Sequence, residues 1–190
     1  MHTISKILIP ARLLIASILL SALFLNGRCF AAEPEKKPVI KMTNQHLQTL
    51  IKRIDKNAQR QGDVWRLSIV HRQVTVITDE KANRMRIISP VTEINGIEPK
   101  TLYRLMQANF DTALDARYSI AHGIIWSAYI HPLAELTDEQ FLQGVGQVVN
   151  LVMTYGTSYS SGLLVFGGGD SQDIQRRQLI DELLEKGLAI

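Results

Sequence analysis

Three short runs of alternating side chains constrain the fold of this chain most strongly. Apolar and other residues alternate with a period of two from Trp65 to Val70, from Val74 to Ile77 and from Met85 to Ser89. Alternation of this kind is typical of strands that bury one face. The links between the runs are shorter than the crossover of a dozen or more residues that parallel pairing requires, so the runs predict an antiparallel meander.

Helical patterns lie on both sides of this meander. Thr43 can cap a first helix that is predicted to run through Gln59. A second helix is marked by apolar residues at helical spacing, which are Leu102, Leu105, Met106 and Phe110. Two further strand patterns, Ala116 to Ile120 and Ile124 to Ile130, flank His122-Gly123, which is predicted to be a hairpin turn.

A third helix is predicted to begin at a capping box. The Thr137 side chain can accept a hydrogen bond from the amide of Gln140, whose own side chain can reach back. The order of elements is therefore helix, three strands, helix, two strands, helix, followed by a C-terminal helix. This order predicts an α+β fold in which helices lie on one face of an antiparallel sheet of about five strands.

The N-terminus has the pattern of a cleaved secretory signal peptide over residues 1–31. Lys6 and Arg12 flank the start of an apolar run from Leu13 to Leu25, and Cys29 and Ala31 provide the small residues of a cleavage site after Ala31. The run is shorter than the ~20 residues needed to span a bilayer, and an uncleaved anchor is the alternative. We therefore predict a periplasmic protein that meets the membrane only during export.

Cleavage would change the composition of the mature chain. The single cysteine, Cys29, would leave with the signal peptide, so the mature chain could carry no thiol nucleophile, thiolate ligand or disulfide. The formal charge of +3 would also disappear, because three of the 21 basic residues and none of the 18 acidic ones precede Glu33. Without a positive excess, binding to nucleic acid is not expected.

The remainder of the chain divides into three predicted parts. Residues 32–42 are charged, contain two prolines and are predicted to be a tether. Residues 43–155 form the α+β domain. Residues 156–190 combine a linker rich in glycine and serine with an amphipathic helix from about Ser171 to Lys186, which could fold back on the domain or exchange with a partner.

Signals of catalysis are weak throughout the chain. The stretch Gly156-Thr157-Ser158-Tyr159-Ser160 lacks the final glycine of a nucleophile elbow, and no two histidines of the mature chain have the helical spacing that lets them share a metal ion. We therefore predict no catalytic residue, no cofactor and no metal ion. The enzymatic alternative is a hydrolase or ligand sensor that uses His122, His131, Asp115 and Arg117.

Several short motifs resemble a known family when they are taken with the order of elements. They are Asn109-Phe110, Asp115-Ala116-Arg117-Tyr118, Ile130-His131-Pro132-Leu133 and Leu136-Thr137-Asp138-Glu139, with Trp65 and Asn83-Arg84-Met85 as further similarities. Together they resemble the YbjN family of proteins labelled sensory transduction regulators, which shares the fold of type III secretion chaperones of the Tir-chaperone type. The resemblance covers roughly Asn44 to Tyr155. It implies a small α+β protein that binds other chains without a cofactor, often as a homodimer.

We therefore expect an exported, non-enzymatic protein-binding or chaperone-like module that holds a client segment on apolar surfaces of its sheet and helices, as a homodimer. The residues expected to contact a partner are Leu102, Met106, Phe110, Arg117, Tyr118, Trp126, Tyr129, Leu179 and Leu183. The alternative is a structural or assembly subunit of an envelope or secretion complex, which would dock through the apolar stripe of its C-terminal helix.

Overall fold

The computed structural model describes residues 41–162 and 171–189. The predicted signal peptide, its cleavage site and residues 32–40 of the predicted tether lie outside the described residues. Met42, at the end of that tether, is buried and its amide donates to the carbonyl of Ala134. No helix in the described part of the chain is long and apolar enough to cross a membrane.

The strands form one antiparallel sheet. They are β1 (Gln59–Gln61), β2 (Val64–Ile69), β3 (Arg72–Asp79), β4 (Arg84–Glu93), β5 (Arg117–Ala121) and β6 (Ile124–His131). Their order across the sheet is β1-β2-β3-β4-β6-β5. The consecutive pairing of β2, β3 and β4 confirms the predicted meander, and the β5–β6 hairpin joins it through pairing of β6 with β4.

Helices in the described residues are α1 (Asn44–Ile54), α2 (Pro99–Asp111), α3 (Asp138–Met153) and α4 (Ser171–Leu188). The α+β fold class is therefore confirmed, with a sixth strand that the sequence did not predict. The first helix ends earlier than its predicted end at Gln59. Asp55 is extended, and its carboxylate accepts hydrogen bonds from the amides of Asn57 and Ser68, which turns the chain into β1.

Two side-chain caps fix where helices begin. Thr43 accepts from the amide of His46 at the start of α1. At the start of α3, Thr137 and Gln140 form the predicted capping box, with bonds of 3.1 and 2.9 Å. Such caps satisfy amide groups that have no partner within the helix, so they are readable from a few residues of sequence.

The helices cover one face of the sheet, which we call the inner face. Alternate strand positions such as Trp65, Val76, Ile87 and Ile125 are buried there in a single hydrophobic core. Helix α3 crosses this face in contact with β3, β4, β5 and β6, and its residues are buried along most of its length. The opposite set of strand positions forms the outer face, which none of the four described helices covers.

The C-terminal helix folds back on the domain. Ile180 and Leu183 are buried, and α4 contacts both α1 and α3. The contact with α3 is close at two glycines: a Cβ placed at Gly146 would lie 2.6 Å from Ile180 Cγ1, and one at Gly187 would lie 2.5 Å from Leu142 Cδ1. Of the two possibilities left open by the sequence, this structure shows α4 packed within its own chain.

The start of the predicted linker is fixed to the domain. Ser160 and Ser161 are buried; Thr154 exchanges two hydrogen bonds with the backbone of Ser160, and Asn150 donates to the carbonyl of Ser161. Thr112, at the end of α2, donates to the carbonyl of Tyr159. Residues 156–162 are therefore part of the packed domain, whereas the apolar stretch from Leu163 to Phe166 lies outside the described residues.

Candidate functional site

A groove of about 570 Å³ lies on the outer face of the sheet, over β4, β6 and β5. Its floor is apolar and consists of Ile88 from β4 and of Trp126, Ala128 and Ile130 from β6. The strand register places Ile88 beside Ala128. Ile130, near the end of β6, pairs with Arg86 of β4 and is 62% exposed. The groove thus keeps a contiguous apolar surface in contact with solvent.

Two arginines line this groove. Arg86 lies opposite Ile130, and Arg117 lies opposite Ala128 on the edge strand β5. Asp115 also lines the groove, but within the described residues no carboxylate lies within 4.0 Å of either guanidinium group. The Nη1 of Arg117 donates to the carbonyl of Ala116 at 3.2 Å. Both guanidinium groups therefore remain able to pair with a carboxylate from another molecule.

The approach to β5 is held by Gln147, a buried side chain of α3. Its Oε1 accepts from the amides of Asp115 and Ala116, both at 3.0 Å, and its Nε2 donates to the carboxylate of Asp115. An amide of α3 therefore holds the junction between α2 and β5.

A second apolar surface lies on α2. Tyr103, Met106 and Phe110 are spaced three and four residues apart on one side of the helix, and they are 68%, 50% and 92% exposed. The opposite side of α2 packs into the core through Leu105 and Ala108. Helix α2 is therefore apolar on two sides, one in the core and one facing solvent. We call the exposed side, formed by Tyr103, Met106 and Phe110, the α2 stripe.

Asn109 joins α2 to the edge of the sheet. Its side chain accepts from the amide of Tyr118 at 2.7 Å and donates to the carbonyl of the same residue at 3.0 Å. These groups of an edge strand would otherwise be free to pair with another strand. The bonds block β5 at this point and fix the position of the α2 stripe beside the sheet.

Two tyrosines on the inner face of β5 and β6, Tyr118 and Tyr129, are buried. The hydroxyl of Tyr118 donates to the carbonyl of Leu151, and its ring meets that of Tyr159 edge to face at 6.2 Å. Burial raises the pKa of Tyr118. Burial, with a smaller effect from the negative charge of Asp115, raises the pKa of Tyr129 to about 12. Both phenols are packing groups of the core in this structure.

The nine residues predicted to contact a partner fall into four groups. Arg117 and Trp126 come together in the groove, and Met106 and Phe110 lie together on the α2 stripe. Leu102 and Leu179 are half-buried at the margin of the core. The remaining three, Tyr118, Tyr129 and Leu183, are buried, so an outside partner cannot reach them in this structure.

Sequence reasoning missed four residues of these surfaces. Arg86, Ile88 and Ile130 line the groove, and Tyr103 extends the α2 stripe. The position of Tyr103, three residues before Met106 and seven before Phe110, was a usable signal of the stripe.

The residues of the enzymatic alternative are only partly brought together. Asp115 and Arg117 share the groove with His122, and they share a neighbouring pocket of about 430 Å³ with His131. Nδ1 of His131 lies 2.7 Å from the carbonyl oxygen of Pro132. Within the described residues, no hydrogen bond joins two of these four side chains, and no group of three or more histidine, cysteine, aspartate or glutamate residues could hold a metal ion.

Comparisons with known proteins give weak similarities of fold. No family model and no curated protein matches this sequence. Among solved structures, a chain of the HopA1–SchA chaperone–effector complex is 11% identical, with a TM-score of 0.47 and coverage of 59% of this chain and 94% of that chain. A chain of the ExsC–ExsE complex is 16% identical, with a TM-score of 0.47 and coverage of 66% and 95%, respectively.

Proposed function

We propose that this protein is a non-enzymatic, chaperone-like binding module that holds an extended segment of another protein in the groove on its outer sheet face. The apolar floor of the groove is the observation that carries the proposal. A solvated face of an antiparallel sheet is normally polar. Contiguous exposed apolar surface with a polar rim is typical of protein interaction sites. The resemblance of the sequence to the YbjN family implies the same class of function.

An extended protein segment fits this site better than an enclosed small molecule. The groove is open to solvent, and strands form its floor, whereas small-molecule sites usually enclose most of the ligand. Alternate side chains of an extended segment point to the same side and can lie against Ile88, Trp126 and Ile130 together. Such binding needs no catalytic group, which agrees with the separate positions of His122 and His131.

We propose that two copies associate through the α2 stripe. The exposed side chains of Tyr103, Met106 and Phe110 are those of an amphipathic helix that lacks a partner among the described residues. The same stripe on a second copy could cover them in a two-fold interface, in which each residue meets an equivalent surface. The proposed homodimer would leave the groove free for the client.

The proposed place of action is the periplasm. The signal-peptide pattern of residues 1–31 supports it. The alternative of an assembly subunit that docks through its C-terminal helix is less well supported, because Ile180 and Leu183 already pack on the domain. Docking through that side of α4 would require the helix to leave α1 and α3.

Client binding can be measured by fluorescence anisotropy with a dye-labelled, permanently unfolded protein as the probe, for example reduced and carboxymethylated lactalbumin. The Ile130→Ser variant should bind this probe at least about five-fold more weakly, because it removes an exposed apolar side chain from the groove. Leu188→Ser is the matched control, since Leu188 is also exposed but lies at the end of α4. The proposal would be overturned if the wild type, Ile130→Ser and Leu188→Ser proteins bound the unfolded probe equally, or if the wild type did not bind it.

The dimer has its own experiment. Sedimentation velocity of the mature protein should show a dimer, and Phe110→Asp should give a monomer with an unchanged circular dichroism spectrum, because Phe110 contributes almost nothing to the core. A wild-type protein that stays monomeric at high micromolar concentration would contradict the dimer without affecting the client site.

A further inference from the structure

The two arginines that line the groove indicate what kind of segment it binds. We infer that the client segment carries two carboxylates four residues apart with an apolar residue midway between them, in the pattern acidic-x-apolar-x-acidic. This inference rests on the proposed function and adds the chemistry of the client. It is drawn from charge complementarity, since Arg86 and Arg117 face the groove and form no ion pair within the described residues.

The spacing follows from the strand register. Arg86 lies in β4 opposite Ile130 of β6, and Arg117 lies in β5 opposite Ala128 of β6. The two arginines are thus two strands apart across the sheet and two residues apart along it. With about 4.8 Å between strands and about 3.4 Å per residue, their Cα atoms are about 12 Å apart.

An extended segment can match this distance with side chains on one of its faces. Residues i and i+4 are about 13 Å apart and point to the same side, and residue i+2 lies midway between them on that side. A segment laid diagonally over β6 would place acidic residues at the two arginines. The residue at i+2 would then lie over the apolar floor formed by Ala128 and Ile130.

Asp115 and His122 also line the groove, and they limit the effect of the arginines. The negative charge of Asp115 opposes an incoming carboxylate. Each pair of an arginine with a client carboxylate should therefore add no more binding free energy than an exposed ion pair does. Removing one arginine is therefore expected to weaken binding about 2- to 5-fold, which corresponds to less than ~1 kcal/mol. The attraction should also fall at high salt, because solvent-exposed charges are screened.

Labelled peptides test the inference directly. One peptide contains the core Glu-Ser-Leu-Ser-Glu, a second replaces both Glu by Gln, and a third places the two Glu side by side. In fluorescence anisotropy at low salt, the first should bind about 3- to 20-fold more tightly than the other two, and this advantage should disappear in about 0.5 M NaCl.

Charge variants assign the effect to the groove. Arg86→Gln and Arg117→Gln should each weaken binding of the first peptide but leave the Gln peptide unchanged. Arg72→Gln is the matched control, because Arg72 is an exposed arginine at the start of β3 and does not line the groove. Equal effects of Arg72→Gln and Arg117→Gln would overturn the inference.

The remaining outcomes separate this inference from the proposed function. If the unfolded probe binds in an Ile130-dependent manner while the Glu and Gln peptides bind equally or not at all, the function stands and the acidic pattern is wrong. If inorganic phosphate displaces the Glu peptide at equal concentration, the arginines form a general anion site and the inference fails. If neither the peptides nor the unfolded probe bind, the proposed function fails as well.

Discussion

Replacing Gly146 by alanine is expected to destabilise this protein, although the same change in an exposed helix would stabilise it. Gly146 lies in the middle of α3 where α4 packs on it, and a Cβ there would lie 2.6 Å from Ile180 Cγ1. Ile180 would have to change its rotamer or the two helices would have to separate. Such overpacking costs about 1–3 kcal/mol, whereas the alanine gains about 1 kcal/mol in helix propensity. The expected net loss is about 1 kcal/mol.

A double-mutant cycle with Ile180→Ala tests this reasoning. Ile180 is 2% exposed, so Ile180→Ala alone should cost about 2–5 kcal/mol. It also removes the atom that the new methyl group would meet. Gly146→Ala should therefore stabilise the Ile180→Ala protein by about 1 kcal/mol, which gives a coupling energy of about 2 kcal/mol between the two sites.

Urea unfolding of the full mature chain, followed by circular dichroism, measures all four proteins of the cycle. A stabilising effect of Gly146→Ala in the wild-type background, or simple additivity, would refute close packing of α4 on α3. The measurement should be repeated over a hundred-fold range of protein concentration with Phe110→Asp added to all four proteins, because this change removes the proposed dimer through the α2 stripe. If the coupling persists but the unfolding midpoints still rise with concentration, α4 is supplied by a second copy, and packing within one chain is refuted.

Three further predictions concern single side chains. Gln147→Leu should cost about 2–4 kcal/mol in urea unfolding, because the amides of Asp115 and Ala116 lose their acceptor. The raised pKa of Tyr129, about 12 against an ordinary value near 10, means that the folded state holds the phenol proton more tightly. Its stabilising effect should be complete below about pH 10 and fall as the pH rises towards 12, so Tyr129→Phe should lose less stability than wild type between pH 8 and pH 11. Val70 has a φ of 48°, which is unfavourable for a β-branched residue, so Val70→Asn should raise stability by about 0.5–1 kcal/mol and the Tm by a few degrees.

Two of these changes have a matched control elsewhere in the chain. Gln143→Leu, one turn before Gln147, should change stability by less than about 0.5 kcal/mol, because Gln143 is only half-buried and bonds to an exposed carboxylate. Tyr103→Phe is the control for the alkaline effect. Three results would contradict these arguments, one for each. Gln147→Leu could lower the free energy of unfolding no more than Gln143→Leu does, or Tyr129→Phe and wild type could lose stability equally at alkaline pH. For the third, Val70→Asn could leave the free energy of unfolding unchanged.

The sequence predicts those parts of the fold that are determined by interactions between residues close together in the chain. The capping box at Thr137 and the cap at Thr43 are complete within four residues, and both are present. The short links of the meander leave antiparallel pairing as the only simple solution. Strand β1 was missed because all three of its residues are exposed and carry no apolar alternation. It exists because its backbone pairs with β2.

The candidate site depends on packing between distant residues, and the sequence could not locate it fully. Strand β6 has large apolar side chains on both faces, so alternation cannot tell which face is covered. The helices cover Ile125 and Tyr129 and leave Trp126 and Ile130 at the groove. For the same reason Tyr129 was expected at a partner surface but belongs to the core.

The arrangement of the groove, rather than its apolar composition alone, favours a binding role over simple strand propensity. Strands favour β-branched residues on any face, and the outer face also holds Val64 of β2 beside Ile77 of β3, away from the groove. The other outer positions of β2, Arg66 and Ser68, are exposed and polar. At the groove, by contrast, the indole of Trp126 is fixed by a 3.0 Å hydrogen bond to the carbonyl of Ala121. A fixed aromatic side chain loses little conformational freedom when a partner binds, so this part of the surface is already arranged for contact before the client arrives.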